Sequence, residues 1–158
     1  MKKTGIGMYI PESVSKYYSL ISGNKCKVKD VNAAELSAIY VGLLINPSNQ
    51  PIEVYSDSIT AINLLENKLY NKKFNTLVSC IKYVSIVKYK NNVQYVKVKG
   101  HSGVYGNEMA HNLAREGASS DHIFYMPESN KTNTLSLEDI MLENIYKNSL
   151  LHDNIFFL

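Results

Sequence analysis

Glu35, Asp57 and the loop Gly100-His101-Ser102-Gly103 hold the side chains of this 158-residue sequence best suited to chemistry: two carboxylates and an imidazole. Singly, each has a plainer use. A Glu on a helix is ordinarily solvated, and an Asp just before a helix ordinarily caps it, its carboxylate accepting from free backbone N–H groups. A His after a strand serves as readily in a loop hydrogen bond as in proton transfer. What decides between these uses is whether the surrounding elements bring the three together.

Those elements can be read from periodicity. Ile6, Met8 and Ile10 alternate on one face of a first strand, Pro11-Glu12-Ser13 supplies a turn, and Tyr17 to Ile21 returns, which predicts an antiparallel hairpin. From Val31 to Leu44 the spacing of Ala34, Ala38, Val41 and Ile45 predicts a helix with Glu35 near its start. The helix should stop at Asn46-Pro47, because a residue before proline is pushed out of the helical region. Ile52 to Ser56 reads as a strand entering a second helix, with Asp57-Ser58 at the junction, and a strand feeding a helix is an α/β pattern. Asn75 to Val87 predicts a further helix with Leu77, Ile81 and Val84 on one side, and Val93 to Val98 a half-buried strand that runs into the His101 loop. Asn107 to Glu116 follows as a helix ended by Gly117, and Ser136-Leu137-Glu138-Asp139 as the start of another that reaches about Leu151.

The composition, 45% hydrophobic and 20% charged, is that of a chain able to bury one core, and it excludes a disordered polymer. The net charge of +3 is modest, but it is segregated. Residues 67–107 contain eight lysines and no acid, so that window is +8 and the remainder −5. Such a basic middle suits phosphate, and it equally suits a solvated lysine face. Cys26 and Cys80 lack the spacing of a zinc or redox site, which predicts a reduced, intracellular protein, with nucleus and cytoplasm both open. The opening residues are too short an apolar stretch for a signal sequence or membrane span, so no membrane is expected.

Taken in order, four stretches resemble the ribonuclease H family of type 1: Thr4 to Pro11, Asn32-Ala33-Ala34-Glu35-Leu36-Ser37-Ala38-Ile39, Val54-Tyr55-Ser56-Asp57-Ser58, and Val98-Lys99-Gly100-His101-Ser102-Gly103-Val104-Tyr105-Gly106-Asn107-Glu108. The last is the most specific, and it is most similar to the ribonuclease H domains of retrotransposon polyproteins. The resemblance implies an α/β fold with a mixed five-stranded sheet and helices. It also implies endonucleolytic cleavage of the RNA strand of RNA–DNA hybrids, with two Mg²⁺ ions held by four carboxylates. Magnesium is a hard cation that prefers oxygen ligands, and two close ions can activate water and stabilise the leaving oxygen. By motif, Glu35 and Asp57 are the second and third carboxylates, and His101 is the histidine associated with proton transfer or product release. Asn32 and Asn107 fall near the hybrid backbone, and Lys97 and Lys99 add phosphate contacts.

Two of the four carboxylates are missing from the pattern. Thr4 opens directly into what matches the second strand, so the first strand and its Asp are absent, and the fold is expected to be N-terminally truncated. The fourth carboxylate aligns with His111, an imidazole better suited to Mn²⁺ than to Mg²⁺. The domain is expected over residues 1–118, with residues 119–158 a tail holding one helix. One expectation is that Asp153 to Leu158 of the tail fills the sheet gap; the alternative is a truncated copy or partial gene product whose first strand was encoded upstream, as in a polyprotein. Cleavage is accordingly expected to be impaired, with a catalytically inactive nucleic-acid-binding or protein-interaction module as the alternative.

Overall fold

The computed structural model describes residues 4–11, 15–21, 30–127 and 136–148. Glu12 and Ser13 of the expected turn, Cys26, and the tail segment from Asp153 to Leu158 lie outside the described residues. The elements, in chain order, are β1 (Thr4–Met8), β2 (Lys16–Ile21), α1 (Val31–Ile45), β3 (Ile52–Ser56), α2 (Ile59–Leu65), a 3-10 turn at Lys72–Phe74, α3 (Asn75–Val87), β4 (Val93–Lys97), α4 (Tyr105–Ala118), β5 (Ile123–Tyr125) and α5 (Leu137–Asn148).

The chain is an α/β protein with a mixed sheet and helices, as expected. β1 and β2 form the expected antiparallel hairpin, with Ile6 opposite Tyr18, and β5 joins β2 in parallel, giving a mixed sheet in the order β1-β2-β5. β5 is too short to show period-two alternation and was not expected from the sequence. β3 and β4 pair in parallel as a second sheet. The resemblance implies a five-stranded sheet, expected here without its first strand and therefore with two unpaired edges. Among the described residues no strand bridges β1 and β3, so each keeps one unpaired edge and the strands fall into a three and a two.

Each sheet needs a helix over its apolar face, and α1 covers one face of β1. Asp30 caps it, with Oδ1 accepting from the N–H groups of Asn32 at 2.8 Å and Ala33 at 3.2 Å. Its far end is closed by Lys88 on α3's C-terminal margin, whose Nζ donates to the carbonyl oxygens of Leu43 (2.8 Å), Leu44 (3.0 Å) and Asn46. A cation on the free carbonyls of a helix C-terminus satisfies acceptors that the helix itself cannot. Tyr89 Oη adds a second bond to the Leu43 carbonyl at 2.8 Å. Between these ends Leu36, Tyr40 and Leu43 of α1 pack with Ile6, Leu20, Ile81 and Phe124, all essentially excluded from solvent.

α4 covers the other face of the hairpin, and does so backbone to backbone. A Cβ placed on Gly5 would lie 1.9 Å from the carbonyl oxygen of Ala114, and one on Gly7 would lie 2.4 Å from the Ala114 nitrogen. Only glycine at both positions lets the helix sit this close. Gly117 is a correction to the expected helix stop. It lies inside α4, buried against the Tyr18 backbone, and the helix runs two residues further at each end than periodicity indicated.

Candidate active site

Glu35, Asp57, His101 and His111 are carried by four different segments and are brought to one place. Glu35 leaves the second turn of α1 towards the C-terminal end of β3, where its Oε2 accepts from Ser56 Oγ at 3.2 Å. The same Ser56 Oγ accepts from the Ser58 N–H at 3.1 Å and so fixes the bend from β3 into α2.

The cap of α2 is Ser58, whose Oγ accepts from the Ala61 N–H at 3.1 Å. The plain reading of Asp57 as an N-cap is therefore corrected. Because Ser58 performs that task, the Asp57 carboxylate turns away from the helix and towards α4. There His111 Nε2 lies 2.9 Å from Asp57 Oδ2. An ionised carboxylate only accepts, so in a hydrogen bond to it Nε2 is the nitrogen that donates. Gly100 makes room for the approach of the loop: a Cβ there would stand 3.0 Å from Asp57 Oδ2. His101, with a φ of 56°, is held in the left-handed region, and its ring meets the His111 ring edge-on at 5.4 Å between centroids.

Electrostatics bind the two carboxylates into one unit. Glu35's carboxyl is held above its ordinary range, first by burial and then by the Asp57 charge, while the Ser56 hydrogen bond and His111 pull the other way. Burial and a neighbouring like charge both penalise the ionised form. Glu35 thus favours its protonated form more than an ordinary carboxyl does, and Asp57 is the carboxylate held by an imidazole.

The remaining expected residues lie around this cluster. Asn107 and His111 share with Glu35 and Ser56 the lining of a cavity of about 630 Å³ between β1 and β3. Lys97 sits in register with Ser56 on the neighbouring strand, is exposed, and donates to the Val98 carbonyl at 2.6 Å; Lys99 is exposed two residues on. Asn32 is half-buried in the first turn of α1. Of the other lysines in the basic window, Lys73 pairs with Asp30 at 2.6 Å, Lys68 pairs with Glu66 at 3.1 Å, and Lys88 closes α1. Part of the +8 is therefore used internally.

The fit to a pair of Mg²⁺ ions is poor. Among the described residues no three His, Cys, Asp or Glu side chains converge as a metal-holding group. The cluster offers two carboxylates, one of them occupied by an imidazole, where a hard cation asks for several free oxygens. Sequence reasoning placed every member of the cluster but missed the Asp57–His111 bond, for which a carboxylate and an imidazole 54 residues apart leave no local signal.

Among the described residues no helix is long and apolar enough to cross a membrane. The family model for RNase H matches residues 1–119. None of the curated proteins compared with the chain matches it.

Proposed function

The chain belongs to the ribonuclease H family, and we propose that it engages the RNA strand of RNA–DNA hybrids at the Glu35–Asp57–His111 cluster, with hydrolysis that this cluster supports only weakly. Proteins of the family use divalent metal ions. The observation that carries the reading of weak turnover is the 2.9 Å contact between His111 and Asp57. An imidazole that donates to Asp57 satisfies an oxygen that an ion would otherwise take, and it supplies no anionic charge of its own.

The residues of the chain then divide the work by chemistry. Lys97 and Lys99, exposed at the end of β4, meet phosphate and fix the register of the duplex without reading its sequence. Asn32 and Asn107 add neutral hydrogen bonds to the backbone. Glu35, whose carboxyl burial raises above its ordinary range, and His101, on its exposed loop, are the groups assigned to hold or move a proton at the scissile phosphate. A reduced, intracellular setting belongs to the same reading, with Cys80 a buried free thiol.

A second reading, an inactive module that binds hybrid or duplex without cutting it, rests on the same contact, since the Asp57–His111 pair is complete without an ion. Titration of a labelled hybrid at several salt concentrations tests the binding both readings share. A steep fall of affinity with salt is expected, and salt-independent or absent binding would remove both. Cleavage of the same hybrid separates them.

A further inference from the structure

Tyr105 is the first residue of α4, follows the His101 loop, precedes Asn107 and His111 on the same helix, and is 67% exposed. We propose that its ring is a stacking platform for an unpaired nucleobase, so that the substrate preferred here is a hybrid whose RNA strand continues as single strand past the last base pair. The proposal rests on the reading of the Glu35–Asp57–His111 cluster as a site for RNA–DNA hybrids and names the substrate class of that site.

The ring is held in place and left open at once. The loop that delivers it is sharply turned, with His101 at a φ of 56° and Gly103 at 81°, both in the left-handed region. Tyr9, half-buried just beyond β1, then meets Tyr105 edge to face, with 5.7 Å between ring centroids and 86° between planes. In such a contact one ring offers its edge and the other a single face, so at least one face of Tyr105 stays free. The surroundings suit a flat, neutral ligand. Glu108 lies one turn further along α4, so the surface beside the ring does not attract phosphate, whereas an uncharged base is indifferent to it. Val104 is the one large apolar side chain exposed next to it in the chain, too little for a protein docking face. Tyr55, the other exposed tyrosine lining the cavity that Tyr105 and His111 share, differs: its hydroxyl donates to Glu53, which places a carboxylate at its ring.

The base that such a ring can take is an unpaired one. Inside a duplex each base is stacked on both faces by its neighbours and has no face to offer. A base beyond the last pair has one, and stacking on aromatic side chains is a general way of binding single strands. The strand concerned is the RNA strand, because the ring sits on the helix that carries Asn107 and His111 to it. From Tyr105 to His111 is about 9 Å along the helix axis, or about three nucleotides at 3.4 Å per step. A strand engaged at the cluster therefore reaches the ring a few nucleotides on.

The test measures, by fluorescence anisotropy, the affinity of the full 158-residue chain for a short blunt RNA–DNA hybrid labelled on its DNA strand. The same hybrid is then given an RNA strand extended by unpaired adenosines at its 5′ or its 3′ end, and extended again with abasic ribose in their place, which keeps the phosphate charge and removes the base. One of the adenosine extensions is expected to bind at least about fivefold tighter than the blunt hybrid, and the abasic extension to lose that gain. Tyr105→Ala should abolish the gain, and Tyr105→Phe, which keeps the ring, should retain it. The gain is a ratio taken on each variant, so a general loss of affinity does not imitate it, and the abasic comparison on the unaltered chain needs no variant to fold. Equal binding of blunt and extended hybrids, an equal gain from the abasic extension, a gain that survives in Tyr105→Ala or one lost in Tyr105→Phe would each overturn the proposal. Hybrid binding without preference removes this proposal alone, whereas binding of no hybrid removes the functional reading and the proposal with it.

Discussion

His111 on α4 holds the carboxylate that ends β3: its Nε2 stands 2.9 Å from Asp57 Oδ2, and the two side chains are 27% and 20% exposed. The contact exists because the neighbouring serine, Ser58, caps α2 and releases Asp57 from that duty. It joins β3 to a helix whose main packing is on the β1–β2 hairpin, and it sets the charge of the candidate site.

The close packing of α4 on β1 depends on glycine. Gly5→Ala would place a methyl 1.9 Å from the Ala114 carbonyl oxygen, which is backbone and cannot rotate away. The helix must shift, and overpacking of this kind costs about 1–3 kcal/mol or more. Thermal unfolding of Gly5→Ala should show a melting temperature lower by several degrees. An unchanged melting temperature would mean that α4 does not sit against β1 as described.

Lys88 closes α1 from another element. Lys88→Ala leaves the carbonyls of Leu43, Leu44 and Asn46 without that donor, at a cost of about 1–3 kcal/mol. Burial also pulls the Lys88 ammonium down to about 8 from 10.5. The unfolded chain therefore holds this proton more tightly than the folded one between those values. The Lys88 contribution to stability should rise as pH increases from about 8 towards 10.5, and is lost as pH falls through 8. Denaturant midpoints of the unaltered chain and Lys88→Ala across that range check both statements.

Glu35 gives the opposite sign. Its carboxyl is raised above the ordinary 4.5, chiefly by burial and then by Asp57, so the folded chain binds the proton more tightly than the unfolded one. Its favourable contribution is full below pH 4.5 and is lost as pH rises through the folded value. Glu35→Gln removes the buried charge, so the variant should gain melting temperature over the unaltered chain at pH 7 and lose that advantage at pH 4. A constant difference at the two pH values would refute the buried, coupled carboxyl.

The exposed lysines at the end of β4 should act through phosphate. Lys97→Ala and Lys99→Ala are each expected to weaken hybrid binding at low salt and to reduce the slope of log affinity against log salt by about 1 per lost contact. Lys73→Ala, whose ammonium pairs with Asp30, should leave the slope unchanged.

Much of the fold could be read from the sequence where a long apolar period meets a clear stop. β3 and α3 have the bounds that periodicity assigned, and α1 ends within a residue of the Asn46-Pro47 boundary. What was missed is non-local. β5 is three residues long and exists because β2 offers it an edge, and Gly117 packs inside a helix where its type suggested a stop. Periodicity puts Ala34 and Ala38 on one face with Val41 and Ile45, yet only the last two are fully buried in the core, and the alanines also line the cavity between β1 and β3. In the site, motif order brought out Glu35, Asp57 and His101, whereas the Asp57–His111 bond depends on the choice of Ser58 as cap, which no spacing reveals.

The most direct measurement is cleavage of a labelled RNA–DNA hybrid in Mg²⁺ and in Mn²⁺ by the unaltered chain, by Asp57→Asn and by His111→Asp. Slow cleavage by the unaltered chain, lost in Asp57→Asn and raised at least about tenfold in His111→Asp, is the expected result, because the new carboxylate supplies the charge and oxygens that the imidazole withholds. Cleavage by the unaltered chain as fast as by His111→Asp, or retained in Asp57→Asn, would contradict the assignment of the Glu35–Asp57–His111 cluster as a weakened catalytic site.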